Sequence, residues 1–176
     1  MNKIASLLLL ILLISCKEED KKEEISSPRP LKIYSEENIS VKSYSFSALE
    51  SFLKKDNDTT YVINFWATWC VPCVEELPNF EKLNATYKDK KVKVLLVSID
   101  FPKMVESKLL PFIKHNNLKS DVVLLNDPDA NSWINKVDSA WSGAIPATVI
   151  YKKDKRQFYE KSFTYEELET ELKKFF

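Results

Sequence analysis

One glycine, one histidine and three cysteines stand among 176 residues. Average glycine usage of about 7% would supply roughly a dozen. A phosphate-cradling loop or a dinucleotide-binding turn needs two or three glycines in a short stretch, so that backbone can approach a pyrophosphate; nucleotide chemistry of those kinds is excluded. Charge of one sign is also lacking. Lys and Arg total 26 against 26 Asp and Glu, so no net field exists to hold a polyanion, which argues against a nucleic-acid partner. No apolar run reaches the roughly 20 residues of a membrane-spanning helix. What is there suits a packed domain: hydrophobic residues make up 44% of the chain and aromatics 12%, in a length that holds one core. The odd cysteine count needs its own explanation.

Residues 4–14 are apolar apart from Ser6 and follow a basic start at Lys3, the pattern of an export signal core. Residues 1–15 are read as a signal that is removed. The run ends in Leu13-Ile14-Ser15-Cys16, which resembles the bacterial lipobox. That resemblance implies that Cys16 is lipidated, becomes the mature N-terminus and anchors the chain to a membrane of the cell envelope, with the domain in the periplasm or at the surface. An unlipidated signal with an incidental cysteine is the alternative. Residues 17–24 are all charged, and the following stretch carries Pro28 and Pro30. Such sequence buries nothing, so residues 16–38 read as a solvated tether and residues 39–176 as the folded domain.

Within the domain, apolar β-branched runs alternate with helical patterns. Residues 60–66 and 92–99 read as strands covered on both faces, with a helix from Val71 to about Lys88 between them, which is a βαβ unit. A helical stretch over 103–117, interrupted by Pro111, precedes a short strand at 122–125 and a further short helix through Val137. Residues 147–151 and 156–160 form a hairpin pattern. Ser47 to Glu50 reads as a capping box ahead of a short helix through Lys55, and Thr164 to Glu167 as one ahead of a closing helix. The fold class is α/β, a central mixed sheet flanked by helices.

Cys70 and Cys73 sit where the first of these strands hands over to a helix. A cysteine at a helix start faces unpaired N–H groups and the positive end of the helix, which favours thiolate, so Cys70 is the candidate nucleophile. Cys73 lies on the same helical face, can close a small disulfide ring, and is the candidate resolving thiol. Pro72 limits the motion of that ring. Trp66 and Trp69 are placed to wall the site, although tryptophans at such positions are commonly core. A zinc half-site would need two more ligands, and the domain offers only His115. Val74 stands where a haem attachment motif requires histidine, and a purely structural disulfide would close too short a loop to stabilise much. No metal or other cofactor is implied.

Trp66-Ala67-Thr68-Trp69-Cys70-Val71-Pro72-Cys73 after an apolar strand resembles the thioredoxin fold, and the longer stretch from Asn64 to Pro78 resembles the TlpA/ResA-type envelope thiol-disulfide oxidoreductases. The resemblance implies that Pro146, in Gly143-Ala144-Ile145-Pro146, is cis and faces the cysteines, and that the Ile145 backbone positions a substrate strand. A trans proline at a strand entrance is the bland alternative. Thioredoxins carry a buried aspartate where this chain has Asn64, which cannot titrate; Asn64 is a support residue or a simple backbone partner. Glu76 matches a glutamate of the ResA-type enzymes and is the candidate to assist Cys73, against the alternative of a solvated helix residue. The activity implied is dithiol–disulfide exchange with exported proteins, with a membrane or periplasmic redox partner recycling the pair. Two other readings remain. A peroxiredoxin nucleophile follows Pro-x-x-x-Thr-x-x-Cys, but Ile63 and Ala67 occupy those places here. A non-catalytic binding module would use Trp66, Trp69 and the Pro146 loop.

Overall fold

The computed structural model describes residues 28–176. The expected signal at 1–15 and Cys16 lie outside the described residues, as does the tether up to residue 27. Seven strands form one mixed sheet: β1 (Lys32–Glu36), β2 (Ile39–Tyr44), β3 (Thr60–Trp66), β4 (Val92–Ser98), β5 (Asp121–Leu125), β6 (Ala147–Lys152) and β7 (Lys155–Tyr159), in the order β1-β2-β5-β4-β3-β6-β7. β2, β5, β4 and β3 run parallel; β1, β6 and β7 complete the sheet through antiparallel pairings. The sheet is thioredoxin-like in its mixed character and in its flanking helices.

Strand periodicity sorts the core into two layers. Val62 and Trp66 of β3 point into a cluster with α2 (Val71–Tyr87), α3 (Leu110–His115) and α5 (Tyr165–Lys173), where Leu77, Phe80, Leu83, Leu110 and Leu168 are buried. Ile63 and Phe65 point the other way, toward α1 (Phe46–Leu49) and α4 (Ala130–Val137) with Leu49, Trp133 and Val137. Because side chains alternate, Asn64 falls on the α2 face between Val62 and Trp66, a polar residue in a fully buried row. Its cross-strand neighbour on β6 is Thr148, also fully buried.

Three elements differ from the sequence expectation. β1 lies inside the stretch read as tether and forms a hairpin with β2 through a turn in which Glu37 has φ 52°. Only Tyr34 of its five side chains is buried, because β1 is an edge strand, so no apolar pattern announces it. The first helix starts at Phe46, not after Ser47, and gives way to a 3-10 turn over Glu50–Leu53. Its N-cap residue Ser45 makes no side-chain cap bond; instead the Asp127 carboxylate accepts from the Phe46 N–H at 3.1 Å, a tertiary substitute for a local cap. The stretch 102–115 is a 3-10 turn, a π-helical turn over Val105–Leu109 and then α3. Pro111 stands in the first turn of α3, directly after that π-helical turn.

Candidate active site

The end of β3 and the start of α2 hold the two cysteines. Cys70 is the N-cap residue of α2, and Cys73 lies in its first turn. The two are joined in a disulfide with an S–S distance of 2.02 Å. The Cys73 N–H donates to Cys70 Sγ at 3.3 Å, so this sulfur occupies the place of an N-cap acceptor over one of the otherwise unpaired N–H groups. That position stabilises negative charge on Cys70 once the disulfide is opened. Cys73 is fully buried while Cys70 keeps 6% of its surface, which makes Cys70 the more approachable of the pair. Pro72, exposed in the same turn, has no N–H to place.

The Ile145–Pro146 peptide is cis, and the Ile145 carbonyl oxygen lies 3.7 Å from Cys70 Sγ. The loop that delivers it turns at Gly143, whose φ of +94° is a conformation L side chains rarely adopt. Trp66 is fully buried with its ring against Phe112, and belongs to the core. Trp69 is 56% exposed, with Val71 at 66% and Phe101 at 61%. These large apolar side chains stand in solvent at the disulfide end of the sheet, Trp69 on the loop after β3, Val71 at the start of α2 and Phe101 on the loop after β4, a rim suited to an apolar partner segment.

Glu76 is buried, at 2% exposure, on the inner face of α2 one turn after Cys73. The solvated alternative for this residue does not hold. Its Oε1 accepts from Asn64 Nδ2 at 2.9 Å, and its Oε2 accepts from the Phe163 N–H at 2.8 Å. Asn64 Nδ2 also donates to Thr148 Oγ1 at 3.2 Å, so Asn64 serves side chains and not the backbone. Burial pushes the Glu76 carboxyl up to about 7, against the opposing pull of its bonds from Phe163 and Asn64. A carboxyl poised there exchanges a proton near neutral pH, the property a general base for a buried thiol requires.

Sequence reasoning missed three contributors. Asp100, buried in the loop after β4, accepts from the Thr68 N–H with both oxygens at 3.1 and 3.2 Å. It also accepts from Thr68 Oγ1 at 2.6 Å and Ser98 Oγ at 2.8 Å, and so pins the loop that carries Trp69 and Cys70. Glu160 holds the Gly143 loop, accepting from the Ser142 N–H at 3.0 Å, the Ala144 N–H at 3.2 Å and the Ser142 hydroxyl. Those bonds draw its carboxyl below the ordinary range. Phe163 supplies the second donor to Glu76, and its own carbonyl accepts from Asn79 Nδ2 at 2.8 Å, so α2 holds this residue through both of its backbone polar groups. The only sequence cue to any of these was the acid directly after the strand residues Ser98-Ile99.

Comparison with known proteins bears on this geometry. The model of the AhpC/TSA family matches residues 37–156. The thiol-disulfide oxidoreductase ResA of Bacillus thuringiensis subsp. konkukian is 32% identical over 116 residues, 64% of this chain and 61% of that protein. The ResA of Oceanobacillus iheyensis is 48% identical over 44 residues, 25% of this chain and 23% of its own. The chain thus spans from 23% to 61% of the length of these two curated relatives. The crystal structure of StoA from Bacillus subtilis superposes with a TM-score of 0.54 at 20% identity, covering 81% of this chain and 93% of that one. With the family model covering most of the domain and the disulfide at the strand-to-helix junction, the chain belongs to the AhpC/TSA family and is a TlpA/ResA-like thioredoxin-fold protein.

Proposed function

We propose that the protein is a thiol-disulfide oxidoreductase of the cell envelope, anchored through lipid on Cys16, that reduces disulfides in exported proteins. One observation carries this reading: a Cys70–Cys73 disulfide whose outer sulfur sits on a helix N-terminus and whose inner cysteine lies one helical turn from a buried carboxyl. In the reduced enzyme the Cys70 thiolate attacks one sulfur of a substrate disulfide, forming a mixed disulfide and expelling the other sulfur as a thiolate. Ionised Glu76 takes the proton from the Cys73 thiol. The Cys73 thiolate then attacks Cys70 Sγ, closes the Cys70–Cys73 bond and releases the second substrate sulfur. Substrate gains two electrons and the enzyme dithiol loses two. A dithiol partner in the membrane or periplasm restores the pair by the reverse exchange.

The Ile145 backbone and the rim of Trp69, Val71 and Phe101 suit an extended, apolar substrate segment laid across Cys70. Asn64, Trp66 and Pro72 support the site without touching substrate. The test is reduction of an insulin interchain disulfide by the full chain under a dithiol reductant. Cys70→Ser is expected to abolish turnover, and Cys73→Ser, reduced beforehand and mixed with insulin after the reductant is removed, to accumulate a mixed disulfide on Cys70 visible as an added mass. Undiminished reduction by the Cys70→Ser variant would overturn the assignment.

A further inference from the structure

We propose that Asn64 and Thr148 form a reversible cradle for Glu76, in which the Asn64 amide turns over so that the same two contacts hold the carboxyl both ionised and protonated. The proposal rests on the reading that Glu76 takes a proton, and it makes Asn64 and Thr148 positioning residues.

The hydrogen-bond inventory leads to it. In the arrangement described, both partners of Glu76 are donors: Asn64 Nδ2 on Oε1 and the Phe163 N–H on Oε2. That suits a carboxylate, which only accepts. A protonated carboxyl needs an acceptor for its O–H, and the Phe163 N–H can never be one. Asn64 can. Its Oδ1 is buried and has no hydrogen-bond partner, so one end of this amide is left unused inside the core. Half a turn about the terminal torsion exchanges Oδ1 and Nδ2, placing an acceptor where a donor now stands 2.9 Å from Glu76 Oε1.

Thr148 can keep its contact with Asn64 in both arrangements. Its hydroxyl accepts from Asn64 Nδ2 at 3.2 Å in the present arrangement and can donate to Oδ1 in the other. Both contacts of Asn64 therefore survive with their direction reversed. The polar groups bonded to Glu76 come from β3 through Asn64 and from the loop before α5 through the Phe163 N–H; Cys73, one turn earlier on its own helix, is held in the disulfide and carries no proton. No ion pair with Glu76 occurs among the described residues. Burial pushes its carboxyl up to about 7, which puts both protonation states within reach near neutral pH.

The test is read on the oxidised full chain, where Cys73 has no proton and no turnover occurs, so it can fail with activity intact and stand with activity absent. Heteronuclear NMR follows the Glu76 carboxyl carbon and the Asn64 side-chain amide from about pH 5 to about pH 9. The expected result is one shared midpoint, with contacts from the Asn64 amide protons to the Thr148 and Glu76 side chains strong above it and lost below it. Glu76→Gln is expected to abolish the response of the amide, Thr148→Val to suppress it, and Thr148→Ser to restore it. An Asn64 amide that keeps its contacts while Glu76 titrates would overturn the proposal. So would a Glu76 carboxyl that stays in one form across the range, or a full response in the Thr148→Val variant.

Discussion

Replacing Glu76 by glutamine changes how stability depends on pH, and the sign follows from where the proton is held. Unfolded, the carboxyl titrates near its ordinary value of 4.5; folded, burial raises it to about 7. Below 4.5 both states carry the proton and the residue contributes no pH dependence. Between the two values the unfolded chain ionises while the folded protein keeps its proton, so stability falls as pH rises. Above about 7 both are ionised and the loss is complete. The separation of about 2.5 pH units at about 1.36 kcal/mol per unit amounts to about 3 kcal/mol. The glutamine of the variant has no proton to lose, and its added amide donor introduces only an offset that does not vary with pH. Urea unfolding of the oxidised wild-type chain and of Glu76→Gln, at steps from about pH 4.5 to about pH 8.5, gives the difference directly. Wild type is expected to lose about 3 kcal/mol relative to the variant across that window and to level off above it. Titrations shared by both proteins, such as those of Asp58 and Glu169, cancel. A difference constant to within about 0.5 kcal/mol, or one that moves in favour of wild type with rising pH, would refute the argument.

Two further substitutions test the loops around the disulfide. Asp100→Asn replaces one acceptor oxygen by a donor facing the Thr68 N–H, which cannot reverse, and is expected to destabilise the oxidised protein by about 1–3 kcal/mol in the same urea assay. Gly143→Ala forces a side chain onto φ +94° and brings its Cβ to 2.9 Å from Ile134 Cδ1. It is expected to cost about 1–3 kcal/mol, and most of that should persist when Ile134→Val removes the clashing methyl, because the backbone conformation is the larger obstacle. A cost that disappears in the double variant would assign it to the contact instead.

How much was legible can be judged residue by residue. β3 and α2 were readable because every signal for them is local: an apolar run, a residue suited to cap a helix, and a helical pattern behind it. The closing helix was equally readable, since Thr164 and Glu167 form a reciprocal capping box within four residues. β1 was not, because an edge strand with one buried side chain carries no periodicity. Ser47 and Glu50 looked like a cap, but Asp127, 81 residues from Phe46, supplies the acceptor at that helix start. Glu76 left two readings open because nothing in a helical sequence tells a solvated glutamate from one folded beneath a loop.

Sequence alone determined the α/β class, the parallel strands on either side of α2 and the position of Cys70 at a helix start, since these depend on neighbours a few residues apart. Tertiary structure decided the rest. It brought Asn64 and the Phe163 N–H onto the Glu76 carboxyl from 12 and 87 residues away, set Thr148 against the Asn64 amide, and removed that carboxyl from water. A proton's affinity for a side chain is set by desolvation and by the donors around it, and both are properties of the packed interior that no stretch of chain carries by itself.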